Sequence, residues 1–550
     1  MFANRLVTFT LSMLAVSIAA DSVAVAAPVK NPLAPLATSS GLVAGQRLDS
    51  GVQSWLGVPF AKPPVQGLRW QPPQAIAWQG VWNADRKMPE CMQVLRPHNI
   101  NHYFGEEASS EDCLYMNIWA PAAAKAGAKL PVIVFIYGGG TTIGSSGMAN
   151  YDGEQVARRG AVFVNFNYRV GLLGFMAHPE LTREQGGHSG NYAYLDQNAA
   201  LKWVKANIEK FGGDPARVSI MGQSAGAGSV VQHLFSPLSK GLFATAVMSS
   251  GCNWTGNETS LAQGEAVGLE AQKRLGVASI DEMRQVPADK IIGLQAESQV
   301  GVNTSGLRAP PIVDGYFMPK SKAAIMEARE MSDVPIIASF NMDESNGPLA
   351  AAKTVDDYRE IANKMYGDKA AEFLKLFPVA SESDIRRVGM TAARVAGLEH
   401  NARTCAVLQT QYNKSPAYID TYARKHPYTP GVKIADQDPA TIGAYHTADI
   451  PFWFGTLESL NMFRSTRSWT DWDRELSAKM MTSLISFAAT GNPATNDVKW
   501  PAWRAGDERK VVFGDRISIE KLDVPALDFV KANPAQPVQV GPQAPIRPRD

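Results

Sequence analysis

Val218-Ser219-Ile220-Met221-Gly222-Gln223-Ser224-Ala225-Gly226 is the stretch on which the reading of this chain turns. An apolar, β-branched run enters a Gly-x-Ser-x-Gly pentapeptide, and Ala225 to Leu234 leaves it as a small-residue helix. That pattern places Ser224 on a sharp strand-to-helix turn, with its hydroxyl presented as a nucleophile. Glycines at 222 and 226 let strand and helix approach without Cβ atoms between them.

Outward from this stretch, similar apolar runs recur. Val132 to Tyr137 ends in Gly138-Gly139-Gly140, and Ala161 to Phe166, Ala244 to Met248, Pro335 to Phe340, Ala417 to Tyr422 and Val511 to Phe513 follow the same pattern. Continuous apolar runs suit strands covered on both faces. Helical patterns lie between them. The clearest spans Asp196 to Phe211, with Leu201, Trp203, Val204 and Ile208 on one face. Alternation of this kind predicts an α/β fold with a large, mostly parallel central sheet of about eight strands flanked by helices. Short N-terminal strands and turns begin at Gly41. Leu261 to Gln299 and Val355 to Tyr412 read as helical insertions over the site.

Composition narrows the function. The 550 residues are 45% hydrophobic and carry 53 basic against 52 acidic side chains, a net charge of +1. Such a balance gives no footprint for nucleic acid or an anionic membrane. Arg5, the apolar stretch Leu6 to Ala20 and Ala24-Val25-Ala26 read as a signal peptide over residues 1–26, with a second possible cut near Ala19 or Ala20. The apolar stretch is short for a membrane anchor. A Pro/Ala/Ser linker is expected over 27–40, a catalytic unit over 41–530 and a Pro-rich tail over 531–550. The mature protein is then periplasmic or secreted, and four cysteines fit an oxidising compartment. Four allow three connectivities. Cys91 and Cys113, close in the chain and flanking a polar loop, are the favoured pair, whereas Cys252 and Cys405 read as free, buried thiols.

In folds built on this turn the order along the chain is nucleophile, acid, histidine. Four histidines follow Ser224. His233 lies too early, on the helix leaving the turn. His400 falls within a helical pattern, and His426 lies in a Lys/Tyr/Pro loop, read as solvated. His446 sits between Gly443 and an apolar Pro-Phe-Trp-Phe run, a suitable place for a base near neutral pKa. After the run Pro335 to Phe340, Asp343 and Glu344 both qualify as the acid. Backbone N–H groups of Ala225 and of the glycine run Gly138 to Gly140 are positioned to hold a developing oxyanion. Trp254, Phe452, Trp453 and Phe454 are candidate pocket walls or ordinary core aromatics.

Several further stretches carry a resemblance. Gly57-Val58-Pro59-Phe60-Ala61 with Pro63, Pro64 and Arg69, Ser110 to Ile118, Asn167 to Gly171, Asn191 with Leu195-Asp196-Gln197, and Gly222 to Ala227 together resemble the type-B carboxylesterases, the carboxylesterase/cholinesterase/lipase branch of the α/β-hydrolases. The resemblance covers roughly residues 40 to 530. It implies Glu344 rather than Asp343 as the acid, His446 as the base, and Gly139, Gly140 and Ala225 as oxyanion donors. It also implies a Cys91–Cys113 disulfide and structural ion pairs Arg69–Glu111 and Arg169–Asp196.

Three positions depart from the family pattern. Tyr137 stands where the family has histidine, and Gln223 replaces glutamate before the serine. The loop between Cys91 and Cys113 has no tryptophan to hold a quaternary ammonium. The resemblance therefore implies a Ser-His-Glu esterase, without metal or organic cofactor. It would act through an acyl-enzyme on a small to medium, neutral, hydrophobic or aromatic ester rather than a choline ester. A lipase of the same branch, a secreted serine peptidase and a non-catalytic cholinesterase-like binding protein are the competing readings.

Overall fold

The computed structural model describes residues 31–94, 100, 101, 104, 108–295, 299, 300, 303, 304 and 306–538. The signal-peptide segment and residues 539–550 lie outside the described residues. An eleven-stranded sheet forms the centre, built from β1 (Gln46–Arg47), β2 (Gln53–Pro59), β3 (Tyr115–Ala120), β4 (Leu130–Ile136), β5 (Val162–Phe166), β6 (Gly213–Gln223), β7 (Thr245–Ser249), β8 (Ile336–Asn341), β9 (Ala417–Tyr422), β10 (Arg509–Phe513) and β11 (Ile517–Lys521). Across the sheet the order is β11-β10-β9-β8-β7-β6-β4-β5-β3-β2-β1. Strands β5, β4, β6, β7, β8, β9 and β10 run parallel, and the pairings outside them are antiparallel. The parallel strands are the apolar runs seen in the sequence. Val132 to Ile136 and Val162 to Phe166 are buried at every position, as strands covered on both faces must be.

This is the α/β-hydrolase arrangement. The antiparallel N-terminal strands join the edge of the main sheet, and a separate three-stranded sheet forms from Leu36–Ala37, Leu42–Ala44 and Val81–Asn83. The described part of 27–40 is therefore not a free linker. Leu36 and Ala37 pair with Val43 and Leu42, and Pro32 bridges to Gln46. A two-residue pairing leaves no periodicity to read. At the other end, a helix over Val524–Ala532 crosses the expected boundary at 530, and Gln536 N donates to Met365 O.

Helix α1 (Tyr192–Asn207) begins four residues before the expected Asp196, because Asn191 takes a left-handed conformation (φ 53°) at its start. A 3₁₀ turn, Ile208–Phe211, completes the predicted span. The implied ion pairs are present. Arg69 meets Glu111 at 2.6 Å and Arg169 meets Asp196 at 2.7 Å, both as two-pronged contacts. Helix α2 (Ala225–Phe235) leaves the serine turn, and α3 (His400–Tyr412) packs against β8 and β9.

Both cysteine pairs are bonded. Cys91–Cys113 closes a short loop, with Cα atoms 5.0 Å apart, worth about 3 kcal/mol on the chain-entropy account. The reading of Cys252 and Cys405 as free thiols is corrected: they form a second disulfide across 153 residues. Cys252 follows β7 and Cys405 lies on α3, which packs on the neighbouring strands β8 and β9. Proximity in the chain carries no hint of this pair.

Candidate active site

The site begins at the junction of β6 and α2. Ser224 has φ 57° and ψ −125°, a region sparsely populated by residues with a side chain, at a cost of about 1–3 kcal/mol. Packing over-determines it. Ser224 N donates to Ser249 O (2.8 Å), and Gly228 N donates to Ser224 O (3.0 Å). At Gly226 an added Cβ would overlap the carbonyl oxygen of Ile136, so only glycine lets α2 lie this close to the end of β4. The Ser224 side chain is half-buried and faces the glycine run. A Cβ at Gly138 would stand 2.9 Å from Ser224 Cβ.

Gly139 and Gly140 both have positive φ, 115° and 63°. Their turn is closed by Thr142 N and Ile143 N donating to Gly139 O at 3.1 and 3.2 Å. Among the described residues, no acceptor takes the N–H of Gly139, Gly140 or Ala225. Tyr137, just before the run, stacks on Tyr168 with ring centroids 4.3 Å apart. Each hydroxyl donates to the other's carbonyl, at 3.1 and 2.6 Å. The departure from histidine thus leaves a loop anchored by two tyrosines.

His446 and Glu344 meet on the same side of the sheet. His446 Nδ1 lies 2.5 Å from Glu344 Oε2. Glu344 Oε1 accepts from Ser250 Oγ (2.8 Å) and Asn341 N (2.6 Å), and its side chain is fully buried. The two loops are stitched together. Asp343 N donates to Ala444 O, and Ala444 N donates to Asp343 Oδ2. Asp343 therefore holds the histidine loop, while Glu344 faces the imidazole.

His446 Nε2 lies 3.2 Å from Gln223 Nε2, next in the chain to Ser224. With Nδ1 donating to the carboxylate, Nε2 carries the lone pair and accepts from the carboxamide. Among the described residues it makes no hydrogen bond to Ser224 Oγ, a common situation before substrate arrives. Burial pulls the His446 pKa down, but the Glu344 hydrogen bond and charge, with Asp449 behind it, outweigh this and raise it above 6.5. The ring edge stays open to solvent, with 45% of the side chain accessible.

Asp449 was not singled out in the sequence. It is fully buried, accepting from Ser249 Oγ (2.7 Å) and Asn341 Nδ2 (3.1 Å), and burial raises its pKa. Ser250 and Asn341 were also missed. Their only sequence signal is position, directly after β7 and at the end of β8.

Two readings of nearby side chains are corrected. His426 is buried, not solvated. Its Nε2 faces Ala448 O at 2.9 Å, and desolvation, aided by Arg467, lowers its pKa to about 3. Phe452 is not a pocket wall. It is fully buried among Tyr422, His426 and Trp469. Trp254 is likewise buried, edge-on to Phe235, while Trp453 and Phe454 pack into the core against Phe513 and Phe135. Among the described residues no group of three or more His, Cys, Asp or Glu side chains is placed to hold a metal ion.

Residues 33–521 match the family described as Carboxylesterase family. The chain belongs to the carboxylesterase family. This carboxylesterase is 35% identical to the fumonisin B1 esterase of Sphingopyxis macrogoltabida over 90% of its own length and 89% of that protein. It is 31% identical to the para-nitrobenzyl esterase of Bacillus subtilis (strain 168), over 88% and 95% of the two chains. Among solved structures, a PNB esterase superposes with a TM-score of 0.73 at 28% identity, covering 90% of this chain and 98% of that one. The carboxylesterase assignment carries ester hydrolysis as the activity.

Replacing Gln223 in this carboxylesterase with glutamate is expected to set a carboxylate against His446 Nε2. An opposite charge at that range favours the imidazolium. The acid limb of kcat/KM should move to higher pH by ~1 unit, measured as a pH profile beside the wild type.

Proposed function

We propose that the chain hydrolyses carboxylic esters through an acyl-enzyme on Ser224, with His446 as general base and Glu344 as its orienting acid. The observation that carries this is the single line of contacts from Glu344 through His446 to Gln223, one residue before the strained serine. On substrate binding His446 Nε2 exchanges the Gln223 carboxamide for Ser224 Oγ and takes its proton as the oxygen attacks the ester carbonyl. The N–H groups of Gly139, Gly140 and Ala225 receive the oxyanion. The protonated imidazole, stabilised by Glu344, gives its proton to the leaving alcohol. Water then enters by the same route and releases the acid.

The substrate expected from sequence is a small to medium, neutral, hydrophobic or aromatic ester. Gln223 and the absence of a tryptophan between Cys91 and Cys113 remove two features that would favour a cation. The names of the relatives, a fumonisin B1 esterase and a para-nitrobenzyl esterase, support non-choline esters as the class. Retention of all three triad residues favours catalysis over a purely binding role. A panel of p-nitrophenyl and aryl esters, graded in acyl and alcohol size and run beside Ser224→Ala, tests the reading. Equal turnover by both proteins would remove it, and preference for long-chain emulsified esters would make the enzyme a lipase.

Residues 41–530 are the proposed catalytic unit, with the strand Leu36–Ala37 paired onto it and its last helix ending at Ala532. A periplasmic or secreted location is supported by the two disulfides. No described helix is long and apolar enough to cross a membrane.

The pH dependence follows from His446. The base works only when neutral, and its pKa is raised by Glu344 against the pull of burial. Activity should therefore be present at higher pH and fall as pH drops through a value above 6.5. A kcat/KM profile that stays flat well below that value would contradict the assignment of His446 as base.

A further inference from the structure

We propose that Arg308 forms an anion subsite at the mouth of the oxyanion loop, and that the preferred substrates are esters carrying a free carboxylate. This inference rests on the acyl-enzyme reading above and changes its substrate from a neutral ester to an anionic one. Arg308 is exposed, and its Nη2 donates to Gly140 O at 3.0 Å. A Cβ at Gly140 would stand 3.5 Å from the same nitrogen, so the guanidinium lies across the open face of the residue that presents an oxyanion N–H. Gly138, two residues earlier, is against Ser224. Two residues span at most about 7 Å, which keeps the cation within reach of the far end of a short acyl or alcohol chain.

Among the described residues Arg308 has no carboxylate partner, and Gly140 O is the one hydrogen-bond acceptor it meets. By contrast, Arg69 and Arg169 each pair with an acid, Glu111 and Asp196. The other guanidinium donors meet no acceptor among the described residues. A fork of this kind matches a carboxylate in two-pronged geometry.

The position is built rather than incidental. Leu307 N donates to Leu294 O and Gly306 N to Gln295 O, which pins the strap just before Arg308. Asn191 brackets the strap four residues later, accepting from Ile312 N and donating to Ile312 O. Gln295 Oε1 in turn accepts from Leu172 N, beside Gly171, whose N–H donates to Thr141 O. The glycine turn and the arginine strap are thus tied to the same short segment.

Two pairs of esters test this, each matched in size and differing in charge. Monophenyl glutarate against phenyl valerate places the carboxylate on the acyl side, and 3-acetoxybenzoate against 3-acetylphenyl acetate places it on the alcohol side. In the wild type the anionic member of at least one pair should be preferred, and the preference should shrink as salt is raised. Arg308→Gln keeps a donor for Gly140 O but no charge. It should lower the anionic-to-neutral ratio of kcat/KM by about fivefold or more, and Arg308→Glu should lower it further, with Arg308→Lys restoring part of it. If Arg308 only anchors the strap, both members of each pair fall together and the ratios stay fixed, which overturns the proposal. If the wild type and Ser224→Ala hydrolyse all four esters equally, the acyl-enzyme reading fails with it. A wild type that needs Ser224 but shows no charge preference sinks the arginine subsite alone.

Discussion

Replacing Ser224 with alanine is expected to reduce kcat on p-nitrophenyl butyrate by on the order of 10⁶-fold, because a nucleophile and its base act as one unit. Any residual rate would reflect what binding and the oxyanion donors achieve with water as the nucleophile, about 10³–10⁴ over the uncatalysed reaction. The backbone adds an independent readout. Alanine retains the unfavourable φ of 57° at this position, whereas glycine tolerates it. Ser224→Ala should therefore melt close to the wild type, and Ser224→Gly should recover part of the ~1–3 kcal/mol held in the turn, less the entropy cost of glycine. Burst kinetics with a slow-turnover aryl ester complete the measurement. A Ser224→Ala protein that still released a stoichiometric burst of phenol would sink the covalent step.

Glu344→Gln is the second large effect, with a fall of about 10⁴ in kcat expected. The reasoning lies in hydrogen-bond direction. Glu344 Oε1 accepts from both Ser250 Oγ and Asn341 N, so a carboxamide here keeps its oxygen on that side. Its NH₂ then faces His446 Nδ1, which must become the acceptor. The ring proton moves to Nε2, where the proposed mechanism needs a lone pair to take the serine proton. The same change removes the charge that stabilises the imidazolium, so the His446 pKa should fall and the acid limb of any residual activity should shift to lower pH. Glu344→Asp, which keeps charge but shortens reach, should lose less. A Glu344→Gln enzyme within tenfold of the wild type would remove the carboxylate from the mechanism.

The parallel core was legible because each of its strands is buried on both faces and so reads as an unbroken apolar run, as in Val132 to Ile136. Edge elements were not. Leu36–Ala37 and Gln46–Arg47 pair over two residues, too short for any period, and β11 is mostly exposed. The strained turn at Ser224 was legible in its local glycine pattern, and the meeting of Glu344 with His446 in order along the chain and family pattern. Side chains whose surroundings come from distant segments gave no such signal. His426 sits in a polar stretch, yet Tyr445, Phe452, Trp469 and Arg467 close over it. Phe452 lies in an aromatic run near His446 but points into that same cluster. Arg308 lies in an unremarkable stretch of sequence and acquires meaning only from the glycine turn it touches.

The bond between Cys252 and Cys405 also bears on how the molecule behaves when cut. It joins the segment just past the serine half to a helix far along the chain, and the exposed turns within 253–404 fall inside the ring it closes. A protease that nicks one of those turns would leave a single covalent particle, which gives two bands on a gel only after a thiol is added. In an environment rich in proteases, a clipped enzyme could keep its halves in register and go on turning over.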